Sequence, residues 1–325
     1  MVEMNIGIVL NPNSGKRAVF RDLLSSVSSH IKNEKLYCTE STFTHVKDYL
    51  KPEVVGSKVV TNTFKDTETA GRDLSEMDLI ISFGGDGTIS DLICGMRKVR
   101  KMVPIVGVAL GTANCGPFTI IRTQDDLARF DTSKLTSKWV RGLDVFEDDR
   151  YCGTAFNDVV ISDTLVSTVN NEISTVDARR FFHIGERVTK YPGDIGQDNS
   201  NVTMNAEIIR VDGRISQIVL SPFSDRDNEF YSFRAVNGLF CKIPYCGCNY
   251  GMIVSSEPII CIDDSGKAYQ TELKQAIFSN DDLVEISGFE AFCIIDGNPR
   301  VDLRQSSGIR IKPNEHAGLR VEVDD

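Results

Sequence analysis

The first 130 residues alternate between apolar runs and amphipathic segments. Residues 4–10, 78–83 and 104–110 are largely apolar, which is typical of strands buried on both faces of a parallel sheet. Apolar residues recur at helical spacing over residues 17–31 and 89–96. Since glycines or other turn residues follow each apolar run, this order of strand, turn and helix predicts a doubly wound, Rossmann-like α/β domain.

Weaker signals add detail to this domain. Shorter apolar runs at residues 36–38 and 58–60 predict two further strands. The spacing Thr88-x-x-Asp91 resembles a capping box, so we expect the helix to begin at Ile89.

The alternation of predicted strands and helices ends near Asp131. From there on, short β-type runs are separated by turn pairs such as Asp212-Gly213 and Asp296-Gly297, and helical periodicity is scarce. A chain of 325 residues is also too long for one ordinary core. We therefore predict an α/β domain over residues 1–136 and a β-rich domain over 137–325, with roughly the last 15 residues packing back on the first domain.

Composition narrows the class of protein. The chain carries 36 Lys and Arg against 46 Asp and Glu, a formal net charge of −10, and no basic stripe, which argues against binding to nucleic acid or to an acidic membrane surface. No run reaches the ~18 apolar residues of a membrane-spanning helix, so we expect no integral membrane association.

Nine cysteines, an odd number, favour a reducing cytoplasm. Cys241, Cys246 and Cys248 lie close together, but no histidine nearby completes a metal site, and their role stays open.

The run Gly84-Gly85-Asp86-Gly87-Thr88 lies between a predicted strand and a predicted helix. Its three glycines allow the backbone to turn sharply and to approach a ligand closely at the carboxyl end of the strand. N–H groups at the start of the helix would then face a phosphate. Asp86 is the candidate catalytic residue, because a carboxylate there can hold Mg²⁺ or accept the proton of an attacking hydroxyl. A glycine-rich turn that only caps the helix is the alternative.

Two other phosphate-binding motifs do not fit this sequence. Gly15-Lys16 is preceded by Leu10 where a P-loop has its first glycine, and Arg17 replaces the hydroxyl residue. The dinucleotide fingerprint G-x-G-x-x-G also fails, because Ser90 stands where its third glycine belongs.

The Gly-Gly-Asp-Gly-Thr run resembles the signature of the superfamily that contains NAD kinases, diacylglycerol and sphingosine kinases and, more distantly, phosphofructokinases. Asn11-Pro-x-Ser-Gly resembles its opening phosphate loop, and residues 111–118 lie where these kinases carry a third glycine-rich loop. The resemblance covers most of the chain and implies an active site in a cleft between the two domains. The phosphate-binding residues that it implies are Gly84, Gly85, Gly87 and Thr88, with Asn11, Ser14, Gly111, Thr112 and Asn114.

Two motifs in the second half bear on the acceptor. The segment around Asn157-Asp158 resembles the NAD-kinase segment in which an Asn–acid pair binds the dinucleotide, and such a pair can bind an adenine amino group or ribose hydroxyls. A hairpin whose polar residues make only local bonds is the alternative. Asp296-Gly297-Asn298 resembles the Asp-Gly-Gln of NAD kinases, whereas lipid kinases usually have Asp-Gly-Glu. Asn298 cannot act as a base.

The chain also departs from NAD kinases, because their Gly-Ser-Thr-Ala-Tyr run is missing and the third loop begins as in lipid kinases. It most resembles the NAD-kinase-like group that includes acetoin-catabolism X-type proteins. The resemblance implies an ATP-dependent kinase with Mg²⁺ as cofactor and NAD or another small hydroxyl compound as acceptor, and we expect a homo-oligomer. The alternatives are a lipid or small-alcohol kinase, against which stand Asn298 and the lack of a basic amphipathic helix, and a nucleotide-binding sensor without turnover.

Overall fold

The computed structural model describes residues 4–12, 14, 20–31, 34–61, 63–110, 114, 116–169, 172–209, 213–222, 249–262 and 270–322. The chain divides into two compact units, of which the first comprises residues 1–140 and 318–325 and the second residues 141–317. A compact unit is not by itself an independently folding domain, so the division expected at residue 136 stays a prediction.

The first unit alternates strands and helices along the chain. Its elements are β1 (Asn5–Leu10), α1 (Phe20–His30), β2 (Lys35–Cys38), α2 (Glu40–Val46), β3 (Glu53–Val54), α3 (Phe64–Asp73), β4 (Leu79–Gly84), α4 (Asp86–Lys98), β5 (Ile105–Ala109), β6 (Thr119–Ile121), α5 (Gln124–Arg129) and a 3₁₀ helix (Thr132–Lys134). The strand β7 (Thr136–Glu147) continues into the second unit.

The strands of the first unit form a parallel sheet in the order β3-β2-β1-β4-β5, and β6 also pairs in parallel with β5. Arg320, near the chain's end, pairs in parallel with Ile105 of β5. The chain first extends the sheet from β1 to β3 and then returns to the other side of β1 with β4. This reversal confirms the predicted doubly wound fold, and open sheets of this kind bind ligands at the carboxyl ends of the strands where the order reverses.

Two glycines allow α3 and α4 to pack closely. A Cβ atom at Gly71 would lie 2.8 Å from the carbonyl carbon of Leu92, and one at Gly95 would lie 2.8 Å from that of Glu68. Any side chain at either position would therefore push the two helices apart. This contact fixes α4, the helix that follows the Gly-Gly-Asp-Gly-Thr run.

The structure corrects two local predictions. Helix α4 begins at Asp86 rather than at Ile89, because Gly85 in extended conformation is its N-cap, and Thr88 lies inside the first turn. Residues 58–60 form no strand, since Val59 and Val60 are 72% and 40% exposed, and the strand in this region is the two-residue β3. Two adjacent valines thus resembled a strand in the sequence, although residues 58–60 pair with no strand.

The second unit is mostly antiparallel β, as predicted. After β7 its elements are β8 (Arg150–Ala155), β9 (Val159–Ser162), β10 (Thr164–Val169), β11 (Glu172–Asp177), α6 (Ala178–Ile184), β12 (Asn201–Met204), β13 (Glu207–Ile208), β14 (Gln217–Pro222), β15 (Tyr250–Ser255), β16 (Leu273–Phe278), β17 (Val284–Ser287), β18 (Phe292–Ile295), β19 (Asn298–Asp302) and β20 (Ile309–Glu322). The last residues of β20 belong to the first unit.

One buried cluster joins the sheets of the second unit. A six-stranded antiparallel sheet has the order β16-β15-β14-β9-β18-β19, and β13, β12, β17 and β20 pair antiparallel in that order. Ile161 and Ile218 of the first group lie in one core cluster with Ile286 and Ile311 of the second. Strands β10 and β11 form a separate two-stranded ribbon that leads into α6.

Within the described residues, no helix has both the length and the apolar character needed to cross a membrane.

Candidate functional site

Three loops leave the parallel sheet side by side at its carboxyl edge. Leu10 of β1 is paired with Phe83 of β4, and Gly84 of β4 is paired with Ala109 of β5. Backbone bonds continue this pairing past the strands, because the Asn11 N–H donates to the Phe83 carbonyl and the Leu110 N–H to the Gly84 carbonyl, both at 3.0 Å. The loops that begin at 11, 85 and 110 therefore start together, at the point where the strand order reverses.

The middle loop runs directly into the N-terminus of α4. Asp86 is the first helical residue, followed by Gly87 and Thr88, so all three predicted residues lie in the first turn. The first N–H groups of a helix have no partner within the helix and carry its positive dipole end. Gly84 is required just before this turn, since a Cβ atom there would lie 2.6 Å from Thr88 Oγ1.

A side-chain bond joins the first loop to the second. Asn11 Nδ2 donates to Thr88 Oγ1 at 3.0 Å, and Thr88 is buried. The Ser14 N–H in turn donates to the Asn11 carbonyl at 3.1 Å, which closes a turn over Pro12. The structure thus brings together three of the residues that the sequence assigned to phosphate binding.

Two residues of the third loop region contact the Asp86 side chain. Thr119 Oγ1 donates to Asp86 Oδ1 at 3.1 Å. Gly116 approaches from the same loop so closely that a Cβ atom there would lie 2.6 Å from Asp86 Cγ. Sequence reasoning did not assign either residue to the site: Gly116 belonged to the third-loop run without a role, and Thr119 gave no signal.

The third loop is described only in part. Asn114 is 5% exposed and has φ 51°, a left-handed conformation that Asn tolerates better than most residues. Gly111 and Thr112, which we also predicted to bind phosphate, lie outside the described residues. The same holds for Cys241, Cys246 and Cys248.

In the second unit, a buried carboxylate binds the turn that carries Asn157 and Asp158. Asp296 accepts hydrogen bonds from the N–H groups of Phe156, Asn157 and Asp158, at 2.9, 2.8 and 3.1 Å. The Asp296 N–H donates back to the Asp158 carbonyl at 3.1 Å, and Ser221 Oγ donates to the Asn157 carbonyl. The two motifs of the second half therefore form one structure. Sequence reasoning missed this role of Asp296, because the contact joins residues about 140 positions apart.

Asp296 is also the ionisable group most affected by this environment. Burial, together with the neighbouring charge of Asp158, raises the pKa of its carboxyl from 3.8 to about 8, although the three N–H bonds act to lower it. The turn that carries Asn157 and Asp158 thus depends on a carboxyl group with an unusually high pKa.

The site suits magnesium bound together with a phosphate better than a metal held by protein alone. Within the part of the chain that the structure describes, no three His, Cys, Asp or Glu side chains converge as metal ligands. Mg²⁺ typically takes one or two carboxylates and completes its shell with water and substrate phosphate oxygens. Asp86, a partly exposed carboxylate at a helix N-terminus, fits that arrangement.

Comparison with known proteins relates the first part of the chain to a family of kinases. Residues 5–147 match the diacylglycerol kinase catalytic domain. An uncharacterized protein of Archaeoglobus fulgidus is 35% identical over 194 residues, which is 58% of this chain and 58% of that protein. The chain therefore spans less than two thirds of the length of this curated relative.

Solved structures show the same fold at low sequence identity. A yeast NADH kinase in complex with NADH has 13% identity and a TM-score of 0.50, covering 99% of this chain and 84% of its own. A diacylglycerol kinase of Bacillus anthracis str. Sterne has 11% identity and a TM-score of 0.52, covering 100% and 98%. The chain thus contains a match to the diacylglycerol kinase catalytic domain and shares its fold with an NADH kinase and a diacylglycerol kinase, which agrees with the resemblance of its motifs to the NAD kinase and diacylglycerol kinase-like superfamily. Its placement beside acetoin-catabolism X-type relatives stays a prediction.

Proposed function

We propose that this protein is a kinase that transfers the γ-phosphate of Mg-ATP to a hydroxyl group. The observation that carries this proposal is the position of Asp86, which begins α4 at the reversal point of a doubly wound sheet and lies between three loops. Open α/β sheets bind ligands at this point, and helix N-termini bind phosphates.

The loops supply binding groups for the phosphates of the donor. N–H groups at the N-terminus of α4 can bind a phosphate, although that of Thr88 already donates to the Gly85 carbonyl at 3.0 Å. Gly84, Gly85 and Gly87 let a phosphate approach the backbone. The bond from Asn11 to Thr88 holds two loops in a fixed relation before any ligand binds. Gly111, Thr112 and Asn114 are assigned to the same phosphates from the motif.

Asp86 is the proposed catalytic carboxylate. The acceptor oxygen attacks the γ-phosphorus, the bond to the bridging oxygen of ADP breaks, and the hydroxyl proton passes to Asp86. Mg²⁺, when bound, neutralises phosphate charge. Such a transfer needs positioning and charge stabilisation more than a reactive nucleophile. Thr119 and Gly116 limit where the Asp86 side chain can lie.

NAD is the acceptor that we favour, phosphorylated at the 2′-hydroxyl of its adenosine. Asn157 and Asp158 would bind the adenosine half, because an amide and a carboxylate complement amino and hydroxyl groups. Three backbone bonds to Asp296 hold this turn in place. Asn298, which cannot act as a base, supports the same choice.

A lipid or other small alcohol is the second candidate acceptor. The match of residues 5–147 to the diacylglycerol kinase catalytic domain favours it. A protein that binds nucleotide without turnover is the third possibility, and the same assay separates all three.

The test combines an acceptor panel with acceptor-site variants. The full chain is incubated with Mg-ATP and with NAD or with diacylglycerol in mixed micelles, and ADP and phosphorylated product are measured. For NAD, we expect Asn157→Ala and Asp158→Ala to weaken NAD binding by roughly 5- to 150-fold, because each removes a hydrogen-bonding partner that bound NAD would shield from water. Asp198→Ala, an exposed aspartate of the same unit, is the matched control and should bind NAD normally.

The outcomes distinguish the three candidate functions. Product from diacylglycerol alone would replace NAD by a lipid, and binding of Mg-ATP without any product would indicate a sensor. No NAD binding by the wild type at millimolar concentration would reject the NAD-kinase assignment.

A further inference from the structure

Residues 116–119 form a buried segment next to the proposed catalytic carboxylate. All four residues are buried, and the segment contacts Asp86 at both of its ends, through the Thr119 hydroxyl and through the close approach of Gly116. Only Thr119, at the start of β6, belongs to a strand, and no residue of the segment belongs to a helix. Bonds from residues outside the segment must therefore fix its position.

Two arginine side chains bind carbonyl groups of this segment. Arg320 Nη1 donates to the Pro117 carbonyl at 3.3 Å. Arg122 Nε donates to the Thr119 carbonyl at 3.0 Å. Hydrogen bonds from a charged donor are stronger than those between neutral groups, and a buried carbonyl that loses its donor is costly. The two guanidinium groups thus hold the segment on either side of Phe118.

The sheet fixes the middle of the segment. The Gly107 N–H of β5 donates to the Phe118 carbonyl at 2.8 Å, and a Cβ atom at Gly107 would lie 2.7 Å from that oxygen. One backbone bond does not set the orientation of a four-residue segment, whereas three bonds to consecutive carbonyls do. The arginines therefore determine where the two ends of the segment lie.

Both arginines are themselves held in place. Arg320 is 8% exposed, its backbone pairs with Ile105 of β5, and its Nη2 donates to Glu322 Oε1 at 2.7 Å. The Arg122 N–H donates to Asp126 Oδ2 at 2.9 Å, just before α5 begins. Because these supports are already ordered, they can hold the segment without further loss of side-chain freedom.

From these contacts we infer that Arg122 and Arg320 are positioning residues for the proposed phosphoryl transfer. Each acts through the segment 116–119, which in turn sets the position of the Asp86 carboxylate. The inference rests on the proposed function, because it assigns both arginines a role in that reaction. None of the sequence motifs includes either residue, and Arg320 lies 203 positions from Pro117 in the chain.

A purely structural role is the alternative, in which the guanidinium groups only supply donors to buried carbonyls. The two roles differ in what an arginine variant loses. A structural residue affects stability and leaves the kcat of the folded protein unchanged. A positioning residue lowers kcat in protein that is still folded, with little change in KM.

The test measures ADP formation by variants of the full chain, with Mg-ATP and the acceptor that the panel selects. Arg122→Gln and Arg320→Gln remove the charged donors, whereas Arg122→Lys and Arg320→Lys keep a positive charge and a single donor group. Leu79→Val, a core change at the amino end of β4, is the control for lost stability. Arg72→Gln, at a half-exposed arginine of the same unit, is the control for lost charge.

We expect kcat to fall roughly tenfold in each glutamine variant, with a much smaller change in KM for Mg-ATP, because the phosphate-binding backbone stays in place. The lysine variants should recover part of this loss, to about threefold below the wild type. Leu79→Val should lower the melting temperature at an unchanged kcat, and Arg72→Gln should behave like the wild type.

A double-mutant cycle with Thr119→Val tests the path through the segment. Valine has nearly the shape of threonine but lacks the hydroxyl that donates to Asp86. If Arg122 acts through Thr119, Arg122→Gln should lower kcat much less in Thr119→Val than in the wild type, because the bond that it positions is already absent. Equal losses in both backgrounds would overturn the role of Arg122.

The inference is also overturned if the glutamine variants keep more than half of the wild-type kcat, or if Leu79→Val loses as much kcat at the same fall in melting temperature. For a glutamine variant that does not fold, the lysine variant of the same arginine decides, and full wild-type kcat there overturns the inference. These results leave the proposed function standing, because the wild type is active. A wild type that forms no product from any acceptor rejects the proposed function and this role with it.

Discussion

At the scale of single residues, the candidate site depends on how closely two residues approach Asp86. Thr119 donates a hydrogen bond to one carboxylate oxygen, and Gly116 leaves no room for a side chain beside the carboxylate carbon. In a phosphoryl transfer the carboxylate must lie within reach of both the attacking hydroxyl and the metal. A small displacement of Asp86 should therefore lower the rate without unfolding the protein.

Gly116→Ala tests this directly. The added methyl group would lie 2.6 Å from Asp86 Cγ, so either the carboxylate or the loop must move. We expect turnover with Mg-ATP to fall roughly 10- to 100-fold, since misplacements of about 1 Å have effects of that size. Gly196→Ala, whose methyl group would meet its nearest neighbour at 3.4 Å, is the control. Equal turnover in both variants would mean that Asp86 needs no such positioning.

Asp296 gives a prediction about pH. Its pKa is raised to about 8 in the folded protein, above the unfolded value, so the folded state holds a proton that the unfolded state has already released. The resulting stabilisation is complete below the unfolded pKa and is lost as pH rises through the folded pKa. Between about pH 4 and 8 the free energy of unfolding should thus fall by at most about 1.4 kcal/mol per pH unit from this group.

Denaturant unfolding of the wild type and Asp296→Asn across this pH range measures the effect. The amide does not titrate. As pH rises, the free energy of unfolding of the wild type should therefore fall relative to that of Asp296→Asn. Asp281→Asn, at an aspartate that no strand or helix includes, is the control. Parallel pH profiles for wild type and Asp296→Asn would contradict the raised pKa.

At the scale of elements, the packing of α3 on α4 positions the helix that begins at Asp86. Gly95→Ala would place a methyl group 2.8 Å from the carbonyl carbon of Glu68, a backbone atom that cannot rotate away. We expect a loss of roughly 1–3 kcal/mol in the free energy of unfolding, the usual effect of overpacking. Urea denaturation measures it, with Gly196→Ala as control. An unchanged midpoint would show that the two helices can separate freely.

The strands and helices around the site were largely predictable from the sequence. The runs at β1, β4 and β5 are largely apolar, and a turn follows each one. The start of α4 was wrong by three residues, because a glycine N-cap in an already glycine-rich turn gives no distinct signal. The strand predicted at residues 58–60 failed because a β-type run without a partner strand has no stability of its own.

The contacts of the site were less predictable than its elements. Asn11 and Thr88 were each assigned from a motif, but their hydrogen bond depends on the strand order, which no local pattern encodes. The contact of Asp296 with residues 156–158 likewise depends on pairing between β9 and β18. Thr119 lies after the third loop, at the start of a three-residue strand, and nothing in the sequence links it to Asp86.

At the scale of the whole molecule, the residues assigned to the phosphoryl donor and those assigned to the acceptor lie in different units. The described residues assigned to donor phosphates lie within residues 1–140, and those assigned to the acceptor lie within residues 141–317. The match to the diacylglycerol kinase catalytic domain covers residues 5–147, which include every residue that we assign to the donor phosphates. The phosphoryl donor chemistry therefore has support that the choice of acceptor does not share.

The most direct test of that chemistry is the rate of ADP formation by Asp86→Asn compared with wild type, with Mg-ATP and the acceptor that the panel selects. The amide has nearly the same shape as the carboxylate but neither accepts a proton nor holds Mg²⁺ strongly, so turnover should fall roughly 10²- to 10⁴-fold at an unchanged melting temperature. Asp125→Asn, an exposed aspartate of the same unit, should keep the wild-type rate. A folded Asp86→Asn that retains more than a tenth of the wild-type turnover would contradict the catalytic role of Asp86.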